Sequence, residues 1–139
     1  MSAKDKIHNA VKNALIHDGW TVTDDPLSVT FAEDATVFID LGAERLIAAE
    51  RDSEKIAVEV KTFAGASAIR DMELALGQYV MYRGFLRELE PERKLYIAIN
   101  LQTYHSVFQR ASIRFLRVEN QMSLLVVDVA QEEVIEWIS

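Results

Sequence analysis

The stretch Lys55-Ile-Ala-Val-Glu-Val-Lys61 decides how this chain is read. Side chains alternate across a β-strand, so Ile56, Val58 and Val60 share one face while Ala57, Glu59 and Lys61 share the other. A carboxylate and an ammonium thus leave the same face of a mostly apolar strand, beside a small alanine. Such a pair can coordinate a hard divalent cation and hold or activate a water. Mg²⁺ commonly takes only one or two carboxylates, keeping its waters and accepting substrate phosphate oxygens. The plainer alternative is a half-exposed strand whose solvent face carries an ordinary Glu–Lys ion pair, a common and energetically slight arrangement.

Immediately upstream, Arg45-Leu-Ile-Ala-Ala-Glu50 is a second apolar run, joined to the first by the charged Arg51-Asp-Ser-Glu-Lys55. Two such runs with a short polar connection predict a β-hairpin. Before it stands Ile39-Asp-Leu-Gly-Ala-Glu44. Asp40 and Glu44 are the acidic candidates for a second metal ligand. Glu44 adjoins the hairpin's first strand, and Asp40 has the more typical ligand identity. Their alternatives are a turn-forming Asp before Gly42 and a solvated strand end, and the sequence alone leaves both residues open.

Downstream, Gly65 and Ser67 open the longest predicted helix, which runs to about Leu89 and ends before Pro91. Ile69, Met72, Leu76, Tyr79, Arg83 and Leu86 form its stripe. Gln78 stands off that stripe, free to reach back over the sheet towards Glu59 and Lys61 or to be a surface residue. Gly77 in mid-helix costs about 1 kcal/mol relative to alanine, which predicts close backbone packing there.

The rest of the chain predicts one α/β or α+β sandwich. Ser2 and Asp5 suggest a capping box for a helix carrying Ile7, Val11, Ala14 and Leu15, stopped by Gly19. Strands are expected from Trp20, over Leu27 to Phe31 and over Val37 to Asp40, with turn chemistry at Asp24-Asp25-Pro26 and a loop at Glu33-Asp34. Lys94 to Ile99 and Leu124 to Asp128 read as buried strands. Thr103 to Val118 reads as helix in one or two pieces, and Val134 to Ile138 as a short strand or a terminal helix. With helices on a hairpin-rich mixed sheet, the fold class is α/β.

Composition narrows the function. The chain has 139 residues, half of them hydrophobic, and no cysteine, so disulfides, thiolate metal sites and Cys nucleophiles are excluded. This length fits one domain over residues 1–139. No apolar run suits a membrane span or a signal peptide, so a cytoplasmic location is expected. The net charge of −7 runs against non-specific gripping of nucleic acid, which favours basic surfaces. Arg110, Arg114 and Arg117 share one helical face, and Arg83 and Arg87 stand one turn apart. Each set is either a phosphate-contacting stripe or a solvated face. Trp20 and Trp137 read as core or interface anchors. His17 and His105 have no partner at metal-ligand spacing.

The order of these elements, with hydrophobic-Glu-x-Lys followed by a helix containing Gln78-x-x-x-Tyr82, resembles the PD-(D/E)xK nuclease superfamily. Within it the chain most resembles the XisH-like family, the fdxN element excision controlling factors of cyanobacteria. The resemblance covers nearly the whole chain: His8 to Leu15, Asp18-Gly-Trp20, Ile39 to Glu50, Ile56 to Lys61, Ala75 to Tyr79 and Glu136-Trp-Ile138. Asp-Leu-Gly-Ala-Glu combined with Ile-Ala-Val-Glu-Val-Lys is its most specific part.

The resemblance implies a restriction-endonuclease-like mixed sheet flanked by helices and a role in programmed excision of a DNA element. It also implies partners: DNA, a site-specific recombinase and an XisI-like protein. Two function classes follow. In one, a Mg²⁺-dependent (or Mn²⁺-dependent) endonuclease uses Glu59 with Asp40 or Glu44 as metal ligands. Lys61 then orients the attacking water and offsets charge on the phosphorane oxygens, and Gln78 supports the site. In the other, a non-catalytic module of the same fold recruits a recombinase or a small partner. A nuclease toxin restrained by a partner is a third class. A homodimer is expected by analogy with double-strand chemistry, which often needs two sites. One departure stands out: His8 occupies the first-helix place where many superfamily members carry a metal-associated glutamate. It suits a neutral ligand, a phosphate contact or a structural polar residue.

Overall fold

The computed structural model describes residues 3–31, 35–37 and 46–139. Ser2, Glu33, Asp34, Asp40 and Glu44 lie outside the described residues, as do the capping box, the Glu33-Asp34 loop and the end of the Val37–Asp40 strand expected there. Helix α1 (Ala3–His17) leads into β1 (Thr21–Asp24), and a small antiparallel pair, β2 (Val29–Phe31) and β3 (Ala35–Val37), follows. The hairpin comes next, as β4 (Leu46–Arg51) and β5 (Glu54–Val60), and then the long helix α2 (Ala68–Leu89). The chain closes with β6 (Arg93–Asn100), α3 (Leu101–Ser106), a 3-10 turn (Val107–Gln109), α4 (Ala111–Glu119), β7 (Leu124–Asp128) and β8 (Glu133–Ile138). The region predicted as helix near Thr103 is thus in pieces, because Arg110 is extended between the 3-10 turn and α4. The C-terminal segment is a strand.

Six strands form one mixed sheet in the order β1-β4-β5-β6-β7-β8. The central neighbours β5–β6 and β6–β7 run parallel, and the outer neighbours are antiparallel. Helices cover both faces, which is why the central strands read as continuous apolar runs. The result is an α/β fold consistent with a restriction-endonuclease-like core. None of the described helices is long and apolar enough to cross a membrane.

One face packs Ile47, Ile56, Val58, Val60, Leu125 and Val127 under Ile7, Val11, Ala14 and Leu15 of α1. The other packs Ala48, Ala57, Ile97, Ile99, Leu124 and Val126 under α2, the 3-10 turn and α4. Ala48 and Ala57 are register partners, so two methyl groups lie side by side where α2 presents Met72 and Ala75. The buried stripe of α2 is Met72, Ala75, Tyr79, Tyr82 and Leu86. Ile69, predicted on that stripe, is exposed. Gly77 also departs from expectation: a Cβ placed there would meet nothing within 4 Å. It sits on the solvent side of α2, so no interior backbone contact calls for it.

The turns use local chemistry. Gly19 ends α1 with φ +91°, in the left-handed region that favours glycine. Arg51 reaches across from the β4–β5 turn to the carbonyl oxygen and carboxylate of Asp18, at 2.7 and 3.0 Å, and its guanidinium lies 4.3 Å from the Trp20 ring centroid. Trp20 and Tyr96 both pack against Trp137 of β8.

Helix α1 is fastened over the end of β1 by an ionic contact. His8 Nε2 donates to both carboxylate oxygens of Asp25, at 3.0 and 3.1 Å, and Lys12 Nζ donates to Oδ2 at 3.1 Å. Burial pushes the Asp25 carboxyl upward. The hydrogen bonds from His8 and Lys12 and their charges outweigh it, and hold the group below its ordinary value of 3.8.

Two predictions follow from this packing. Tyr79 Oη donates to the Gln121 carbonyl at 3.2 Å and accepts from the buried Ser123 N–H at 3.1 Å. Tyr79→Phe strands those groups, so urea unfolding should show a loss of about 2 kcal/mol; an unchanged midpoint would refute this role. For Asp25, a depressed folded pKa gives stability that is present above the unfolded value and disappears as pH falls through the lower folded one. Asp25→Asn should therefore be less stable than wild type at neutral pH, with the gap closing below about pH 4. Unfolding curves at a series of acidic pH values, run in parallel on both proteins, measure this.

Candidate functional site

Glu59 and Lys61 leave the end of β5 towards α2, on the same face as Ala57. The strand positions them firmly. Glu59 pairs in register with Leu46 of β4 and with Ile97 of β6, and the Lys61 N–H donates to the Ala98 carbonyl at 3.0 Å. Neither side chain lies on a solvent face. Glu59 is 0% exposed and Lys61 6%, which corrects the half-exposed ion-pair alternative. Lys61 Nζ is 3.7 Å from Glu59 Oε1. It also donates to Gln78 Oε1, which reaches down from α2.

The burial bears directly on the purpose of the pair. Withdrawing a carboxylate and an ammonium from water costs several kcal/mol for each ion, and their attraction at best offsets that cost. Two apolar side chains of the same bulk would serve the core equally well. A buried charge pair at a sheet end, its lysine hydrogen-bonded to Gln78, is an arrangement that suits chemistry better than stability.

The loop after Lys61 is shaped locally. Phe63 has φ +52°, unusual for a bulky side chain, and its ring packs edge-on against Phe108 with centroids 5.0 Å apart. The Gly65 N–H donates to Asp71 Oδ2 at 3.0 Å, and a Cβ at Gly65 would stand 2.6 Å from Asp71 Oδ1. A side chain at Gly65 would therefore have to displace the Asp71 carboxylate that its N–H holds. The Ser67 side chain caps α2 by accepting from the Arg70 N–H at 3.2 Å. These contacts fix where α2 begins, and hence where Gln78 falls relative to Lys61.

Asp40 and Glu44 lie outside the described residues, so they are placed by sequence alone: Leu46, the register partner of Glu59, follows Glu44 by two positions. Among the described residues no group of three or more His, Cys, Asp and Glu side chains is gathered for a metal ion. A Mg²⁺ ion does not need one, since one or two carboxylates with waters satisfy it. Glu59, a buried carboxylate at the sheet end, fits that demand. His8 is committed to Asp25 on the α1 side of the sheet, whereas Glu59 and Lys61 face α2.

The arginine patterns resolve differently from one another. Arg83 and Arg87 of α2 and Arg117 of α4 converge on a hollow of about 720 Å³ near the N-terminal end of β6, together with Arg93, Lys94 and Glu92. Arg83 donates to the Asn120 carbonyl at 2.8 Å, and Arg93 is held by Glu90 and the Ile56 carbonyl. Arg110 and Arg114 do not line this hollow and are exposed. His17 contacts the Glu132 carbonyl. Sequence reasoning missed Asp25 as the partner of His8, although His8 and Lys12 stand at i, i+4 on one helix face and ask for an anion.

Comparison with known proteins agrees with this architecture. The family model described as "XisH protein" matches residues 1–135. A crystal structure of an XisH family protein from Nostoc punctiforme PCC 73102 superposes with a TM-score of 0.89 at 45% identity, covering 97% of this chain and 100% of that one. A crystal structure of a fdxN element excision controlling factor protein from Anabaena variabilis gives 0.88 at 46% identity, with 97% and 99% covered. No curated protein matches. With its family model spanning almost the whole length and structural relatives this similar, the chain belongs to the XisH family.

Proposed function

We propose that this protein is an excision controlling factor for a DNA element and carries a metal-dependent phosphodiester-cleaving site on β5. One observation carries the reading: the Glu59–Lys61 pair is buried at a sheet end, with Gln78 hydrogen-bonded to the lysine. The similarity to the Anabaena variabilis protein supports the excision role.

Glu59, with Asp40 or Glu44, would hold a Mg²⁺ or Mn²⁺ ion. A bound divalent cation supplies an activated water and neutralises charge on the phosphate. Lys61 aims the attacking water and offsets the negative charge that develops on the phosphorane oxygens, worth most where water is excluded. Gln78 keeps the ammonium in place, at the cost of one lysine donor. In this reading DNA is the substrate and a recombinase and an XisI-like protein are partners. The overall charge of −7 favours a second reading, in which the same fold recruits those partners without cutting.

Plasmid nicking in Mg²⁺ or Mn²⁺ separates the two. Wild type should nick, and Glu59→Gln and Lys61→Ala should each lose about a hundredfold or more in rate. Manganese binding followed by electron paramagnetic resonance gives a readout that needs no turnover: Glu59→Gln should weaken it by at least the roughly tenfold that disturbing a ligand's surroundings costs. Absence of nicking by the wild type, with or without partner proteins, sinks the enzymatic reading in favour of recruitment.

A further inference from the structure

The outward face of α2 is unusual for a helix in an acidic protein. Leu74 is 60% exposed, Met81 51% and Val80 45%. Between and beside them lie Gly77 and Gly84, and a Cβ on either would meet nothing within 4 Å. Arg70, Glu73, Arg87 and Glu88 border the same face, all exposed, and none of them forms an ion pair among the described residues. Large apolar side chains alternating with flat glycine surfaces along a helix are the ridges and grooves that a second helix packs into.

The pattern also says which helix. Reversing α2 about the level of Tyr79 brings Leu74 level with Gly84, Gly77 level with Met81, and Arg70 level with Glu88. Glu73 then falls within a turn of Arg87 on the same flank, and Val80 lies beside the axis. Leu74 and Met81 each come level with a glycine, Val80 comes beside its own copy, and each of the four charges comes near its opposite. A surface that complements its own reversed copy is the mark of an isologous two-fold contact. The glycines, which the monomer does not use, let the two backbones approach closely.

We infer that the occupant of this face is a second copy of the chain, docked through an antiparallel α2–α2 contact centred between Gly77 and Met81. It sets the two Lys61–Gln78 contacts on either side of one axis. It stands whether or not the site on β5 cuts DNA.

Sedimentation velocity on the whole chain tests it. Wild type should sediment as a dimer, and Leu74→Glu with Met81→Glu as a monomer of unchanged circular dichroism. Arg70→Glu and Glu88→Arg should each weaken the dimer about tenfold, and the two together should restore it, as only the antiparallel register requires. The chain has no cysteine, so Val80→Cys should cross-link to itself on oxidation while Ile135→Cys, exposed on β8, should not. A monomeric wild type, or a dimer indifferent to these changes, overturns the inference.

Discussion

An ammonium and a carboxylate withdrawn from water on the same strand are the constraint around which this molecule is arranged. Glu59 and Lys61 lie where an all-apolar core would be cheaper. The structure meets that cost by supplying a tightly registered strand beneath them, a small alanine beside them and an amide above them. The register of β5 between β4 and β6 sets the direction of both side chains, and a slip of one residue would point them at α1 instead. The start of α2 matters equally, because Gln78 meets Lys61 only if the helix begins where Ser67 and Asp71 hold it.

The two faces of the sheet divide the labour. On the α1 side, aliphatic packing and the His8–Asp25 contact hold β1 and its helix together. On the α2 side, the packing is interrupted at one end by the charged pair. A histidine in the first helix is thereby absorbed into architecture, whereas Lys61, just beyond β5, keeps company with polar groups. Residues of similar polarity thus have different employment because they leave opposite faces.

Much of this was legible in the sequence, for physical reasons. The alternation in Ile56 to Lys61 fixed which side chains share a face, since the period of a strand is two whatever its neighbours. Gly19, Ser67 and Pro91 marked helix ends through backbone chemistry that needs no tertiary information. What was illegible depended on distance. Gly77 looked like a close-packing residue, but only the placement of α2 showed that its side of the helix faces outward. Asp25 looked like a turn residue because its partners stand 13 and 17 positions away. The burial of Glu59 was hidden too: alternation gives the face of a strand but cannot say that a helix covers it. Arg83 and Arg117 gave no sign of lining one hollow, since that depends on where the end of α4 falls relative to α2.

The open sheet has two outer strands, and β8 brings a further use for the acidity of the chain. Unpaired strand edges are templates for joining other chains. β8 reads Glu133-Val-Ile-Glu136-Trp-Ile138, with both glutamates exposed, and β1 ends in the exposed Asp24. Like charges brought edge to edge repel, so these acids oppose the joining of one sheet edge to another. Part of the chain's negative charge thereby lies where it opposes pairing between sheet edges.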